Sequence, residues 1–255
     1  LLVLGDATGA VSQTLAAAPV TGLGGQIVGG NASLSTLNLN PTVSGTFAAR
    51  MGGDAANQNN LAVVKLGTGI ATLSGSNSYT GPTTVTNGTL LFANENALYG
   101  NNTAAWTAAN LTVQPGATAA FAVAGAGAFS SADLDIIDSL GTGTSGFMGG
   151  SFLGIDTTGV SGTFTYNTTL ANPNGGQNAL GLAKLGTGAL LLTGTNSYSG
   201  GTRVTAGELD IGSATALGLG GLTVTDAAFD NLVPGLVMPN ANAVSLGGSV
   251  TFVGT

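Results

Sequence analysis

Few side chains in this sequence could do chemistry, and most of them come in pairs. The densest acidic group is Asp133, Asp135 and Asp138, within the run from Ser130 to Leu140. Clustered carboxylates can ligate calcium or act as acid and base in glycoside cleavage. The same run opens with Ser130 and has Asp133 three residues later, a helix-start signature, and it spaces Leu134, Ile137 and Leu140 along one face. Acids in the first turn of a helix are favoured by its dipole, and Asp133 and Asp135 cannot share a helical face. A short external helix near 131–139 is therefore expected, lying on the outside of the molecule or covering an open edge, without a site. Lys65 and Lys184 are half of the four basic residues. A catalytic lysine needs a depressed pKa and an electrophile beside it. These two occupy the same place in two copies of one motif, which favours a structural part such as a turn residue donating to carbonyls. Tyr79 and Tyr198 are paired in the same way. Exposed, they could stack on sugar rings, but two so far apart make no platform, and corner packing is expected.

Asn31, Asn87, Asn101, Asn110 and Asn167 open Asn-x-Ser/Thr triplets, which arise by chance in a chain so rich in Asn and Thr. Gly67-x-Gly69 and Gly186-x-Gly188 lack the third glycine and the helix of a nucleotide fingerprint, and read as turns. No residue is assigned to catalysis, to a cofactor or to a metal. Composition narrows the field further. The 255 residues contain no His and no Cys, which removes Cys/His zinc sites, thiol nucleophiles, disulfides and imidazole-based triads. A net charge of −7 with four basic residues lacks the positive stripe that phosphate recognition needs, so nucleic acid is not an expected partner. Only 6% of residues are charged, yet the mean hydropathy is +0.40, which argues against disorder. No apolar run is long enough to span a bilayer as a helix. The chain begins with Leu1 rather than an initiator, and is expected to be a processed or internal piece of something longer.

The elements that hold these residues follow from a duplication. Leu61 to Leu98 recurs as Leu180 to Leu217, 119 residues later, with 19 identities in 38 ungapped pairs and an unbroken Lys-Leu-Gly-Thr-Gly in both. The shared skeleton continues as L-x-G-x-N-S-Y-x-G-x-T-x-V-T-x-G-x-L, from Leu73 to Leu90 and from Leu192 to Leu209. Val43-Ser44-Gly45-Thr46-Phe47 has its own counterpart at Val160 to Phe164, so the unit is longer than the 38-residue core. A domain reading follows: one continuous β-solenoid over 1–255, in about two units of ~119 residues. The first is partial (about 1–100, box at 61–98), the second spans 101–219 (box at 180–217), and 220–255 begins a third. Strands of four to five residues separated by short Gly-bearing turns fit the sides of a solenoid coil. Coils of roughly 20 residues would give about a dozen of them, a rod of roughly 60 Å, and five or six coils per unit. Alternation points Leu73, Val85, Leu90 and Phe92 inward.

The pattern from Lys65 to Leu90 and from Lys184 to Leu209, with Ala97-Leu98 and Ala216-Leu217 trailing, resembles the passenger-associated transport repeat of bacterial autotransporters. The resemblance implies an all-β right-handed parallel β-helix, exported to the cell surface or beyond by a Gram-negative type of bacterium. It also implies a tethering barrel elsewhere in the protein, of which these residues contain nothing. The expected function is a non-enzymatic stalk, scaffold or fibre module, able to stack end to end on further repeats or copies of itself. The alternatives are an adhesin for a cell-surface or polysaccharide ligand, with 133–158 the leading decoration, and a polysaccharide lyase or hydrolase on the same helix.

Overall fold

The computed structural model describes residues 1–16 and 25–254. Its strands pair only in parallel, and each joins one a coil earlier or later. Parallel neighbours need a long connection between them, and a chain of short β-prone runs with glycine corners supplies it by winding round a common axis. The result is a parallel β-helix. The longest sheet has nine strands in strict chain order: Gly45–Phe47, Ile70–Leu73, Thr89–Phe92, Thr118–Ala122, Phe152–Asp156, Gly181–Leu185, Thr202–Val204, Leu222–Thr225 and Val244–Gly247. A second sheet of five, from Ser12–Ala16 to Leu111–Val113, flanks it in the first half, and a third of five, from Thr163–Tyr166 to Thr251–Val253, in the second half. A three-stranded sheet, Leu2–Leu4, Gln26–Gly29 and Arg50–Met51, completes the first coils.

One hydrophobic core runs along the axis. Leu73, Val85, Leu90 and Phe92 are all fully buried in it, as alternation requires. Columns of in-register side chains fill the interior, for example Leu73, Phe92, Phe121 and Ile155 on successive coils of the long sheet.

Nine coils pass through the long sheet and one precedes it, fewer than the expected dozen, and the rod is about 45 Å long rather than 60. The difference lies in the middle. Ile70 pairs with Thr89, a coil of 19 residues, but Thr89 pairs with Thr118, Thr118 with Phe152 and Phe152 with Gly181. These long coils carry three short 3-10 turns between Glu95 and Ala105 and the helix Ser131–Asp138, and they add side chains to the core. Aromatic rings fill it: Phe92 stacks on Phe121 at 5.4 Å between centroids, Phe121 meets Phe129 edge-on at 5.0 Å, and Trp106 leans on Phe129 at 5.8 Å.

The helix begins as expected. The Ser130 hydroxyl accepts from the Asp133 N–H, and the Asp133 carboxylate accepts from the Ser130 N–H, a complete capping box. Leu134 and Ile137 are fully buried in the core. Asp135 accepts from Tyr166 Oη at 2.6 Å and Thr168 Oγ1 at 2.5 Å, so the helix is tied to the first strand of the third sheet, whose outer edge has no strand partner. Of the two expected positions, the helix takes the second.

The duplicated box does not occupy the same sheets in its two copies. In the first, Leu61–Lys65 and Thr83–Val85 lie in the second sheet, while Ile70–Leu73 and Thr89–Phe92 lie in the long one. In the second copy it is Gly181–Leu185 and Thr202–Val204 that enter the long sheet, and Ala189–Leu192 and Glu208–Ile211 the third. The 119-residue offset is thus four coils and one side of the prism, where five or six coils were expected, and the second box is turned by one side relative to the first.

Candidate functional site

The paired residues of the box form a buried polar clamp, built on the same plan in both copies although the copies face different ways. Each lysine sits near the end of a strand, in an inward-facing column. Lys65 lies between Leu39 and Val85, and Lys184 between Ile155 and Val204. Both are fully buried. An ammonium in an apolar column has to find acceptors, and the nearest are the carbonyls of the corner that follows. Lys65 Nζ donates to the Gly67 carbonyl and, at 3.1 Å, to that of Asn87. Lys184 Nζ donates to Leu185 at 3.0 Å, Gly186 at 2.7 Å and Ala206 at 2.9 Å. Asn87 and Ala206 belong to the next coil, so each lysine ties its own turn to the one above. Burial holds both ammonium groups down at about 8; around Lys184 the carboxylates of Asp156, Asp210 and Glu208 act in the opposite direction.

The glycine after each of these acceptors makes room for the contact. Gly88 and Gly207 have φ of +64° and +67°, and a Cβ there would lie 2.4 Å from the carbonyl oxygen of Gly67 or Gly188 in the coil below. Both the backbone angle and the spacing require glycine.

A second pair spans three coils. The Met51 N–H donates to Asn77 Oδ1 at 2.9 Å, and Asn77 Nδ2 donates to the Ala97 carbonyl at 2.9 Å. In the other copy Leu170 N–H donates to Asn196 Oδ1 at 2.9 Å, and Asn196 Nδ2 donates to Ala216 at 2.7 Å. Each asparagine replaces ladder bonds at a corner where no strand runs, gripping the coil before and the coil after. Sequence reasoning quoted these asparagines without giving them a role. Their signal was available: an amide retained at one position of the box while most polar neighbours change. The tyrosines complete the clamp. Tyr79 and Tyr198 are buried, with hydroxyls 2.6 Å and 2.5 Å from those of Thr83 and Thr202. They are corner packing, out of reach of any sugar ring.

The remaining basic residues are also engaged. Arg50 pairs with Asp54 at 2.6 Å, the one ion pair among the described residues, and the Arg203 guanidinium lies 3.8 Å above the Phe152 ring. The helix acids are divided: Asp133 caps, Asp135 serves Tyr166 and Thr168, and Asp138 is buried, its carboxyl pushed up to about 7 by burial and then by the charge of Asp135. A separate group, Glu208, Asp210 and Asp230, converges on the outer side of the third sheet. Sequence reading passed over it because Asp230 comes from another coil.

A family model described as the passenger-associated-transport-repeat matches residues 63–92 and 182–211, the two clamps. The chain carries this repeat twice. Over 115 residues it is also 36% identical to the adhesin BmaC autotransporter of Brucella suis biovar 1 (strain 1330), a stretch covering 44% of this chain and 3% of that relative. The chain therefore corresponds to a small part of that protein's length. No solved structure matches. The repeat and the relative together make this an autotransporter-passenger-like surface module, extracellular or at the cell surface of a Gram-negative bacterium. No described helix is long and apolar enough to cross a membrane.

Proposed function

We propose that this segment is a non-enzymatic spacer of a surface passenger: a stiff rod that sets distance, read as one continuous solenoid in units of about 119 residues. The observation that carries this reading is the duplicated clamp. Its duplicated lysines, asparagines and tyrosines are buried in both copies and occupied by hydrogen bonds inside the rod, those of the lysines and asparagines running from coil to coil. A part used twice, with its polar atoms turned inward, serves cohesion. The partners proposed are further coils, of this polypeptide or of a neighbouring one. Leu2, Val3, Val244, Leu246 and Phe252 stand exposed on the first and last described strands, apolar surface on which a further coil would stack.

Small-angle scattering on the purified segment should give an elongated particle, and the segment should neither bind host cells saturably nor cleave acidic polysaccharides. A compact particle, or saturable binding that blocks adhesion of the intact bacterium, overturns the spacer. The second outcome would favour an adhesin role, a reading supported by the name of the relative and by the long coils around the helix.

A further inference from the structure

Among the carboxylates, Glu208, Asp210 and Asp230 alone gather within reach of one ion: one oxygen from each lies within 4.8 Å of the others. Glu208 and Asp210 are two residues apart on the strand Glu208–Ile211, on the side opposite Leu209 and Ile211, which face the core. Asp230 lies directly across from Asp210 in the next coil. Like charges directly opposite on paired strands repel. Here the repulsion is not diluted by water, for Asp210 is 5% exposed and Asp230 6%.

The donors that would ordinarily quiet such a group are missing. Asp210 Oδ1 is buried with no hydrogen-bond partner. The Asn231 N–H donates to Asp230 at 2.7 Å, and no other N–H or O–H among the described residues reaches the three carboxylates. Lys184 is the nearest cation, but its ammonium is spent on three carbonyls and lies beyond ion-pair distance. A buried carboxylate oxygen without a donor, on a side chain gathered with two further carboxylates, is what a cation site looks like without its ion. The group is also absent from the other copy of the box, where Thr89 and Leu91 stand in place of Glu208 and Asp210. It is therefore no part of the clamp that both copies share.

We propose that Glu208, Asp210 and Asp230 bind one calcium-sized divalent cation that staples two successive coils on the outer side of the third sheet. All three donors are hard oxygens, and calcium accepts an irregular shell of carboxylate oxygens where magnesium demands a near-ideal octahedron. Backbone carbonyls or water would complete the shell.

Thermal unfolding of the whole chain, at neutral pH in chelator, in calcium and in magnesium, tests this. With calcium at about a hundred times its dissociation constant, the midpoint should rise by about 5 °C, with one ion bound per chain by titration calorimetry. Asp210→Asn and Asp230→Asn should each weaken calcium binding at least about tenfold and abolish the calcium shift. Because they remove repulsion, both variants should be no less stable than the parent in chelator, so loss of the shift cannot be put down to misfolding. A calcium response no larger than that to magnesium, or one that survives in the double variant, overturns the proposal.

Discussion

Lys65 and Lys184 are charged residues in an apolar column, and their stability effect depends on the carbonyls they serve. Replacing Lys184 by Met keeps the stem and its packing but leaves the carbonyls of Gly186 and Ala206 without a donor, while that of Leu185 keeps Thr157, a loss of about 1–3 kcal/mol that chemical denaturation should read. The titration adds an independent check. In the folded protein these ammonium groups have values near 8, below the ordinary 10.5. Between those limits the unfolded chain holds more protons, so stability rises with pH from about 8 upward. The rise should disappear in the Lys65→Met, Lys184→Met double variant, and a profile unchanged from the parent would refute the assignment. Tyr198→Phe is a milder case: the ring stays, the bond to Thr202 goes, and about 1 kcal/mol should be lost.

Coils are joined by ladders where strands run and by asparagine side chains where they do not. Asn77→Ala leaves the Met51 N–H and the Ala97 carbonyl unpaired inside the protein, and should cost about 3 kcal/mol. Exchange of the Met51 amide with deuterium should accelerate well beyond that of Phe47 in the long sheet. The helix is held more lightly: Ser130→Ala removes its cap and should cost about 1 kcal/mol. Strand positions, inward residues and the helix with its capping box could all be read from the sequence, because alternation, glycine corners and Ser130–Asp133 are local signals. Coil length could not. The path of residues 93–150 is decided by how Trp106, Phe129, Leu134 and Ile137 pack into the core, and local patterning does not encode that. The acidic group escaped for the same reason, since pairing Asp210 with Asp230 requires the register between coils.

Taken as one titrating body, the rod has its buried charges set against it near neutrality. Asp138 and Asp210 are pushed up to about 7 and about 6, each by burial first, then by Asp135 for the former and by Glu208 and Asp230 for the latter. Between the ordinary value of 3.8 and those limits the folded chain holds more protons, so in chelator stability should fall as pH rises from about 4 to 7. The lysines then reverse the slope above 8. Beyond about 10 the buried hydroxyls of Tyr79 and Tyr198, held above their ordinary value by burial, should turn it down again. A melting profile with its shallow minimum between pH 7 and 8 is the expected result, and a single maximum at neutrality would contradict it.

The turn of one prism side between the two boxes makes the molecule a screw rather than a ladder. Copied in tandem with the same offset, such units would carry their boxes along a thread that returns to its starting side only at every third unit, about 13 coils or ~60 Å further on. A flat surface lying along the rod would then touch the outer side of one box in three.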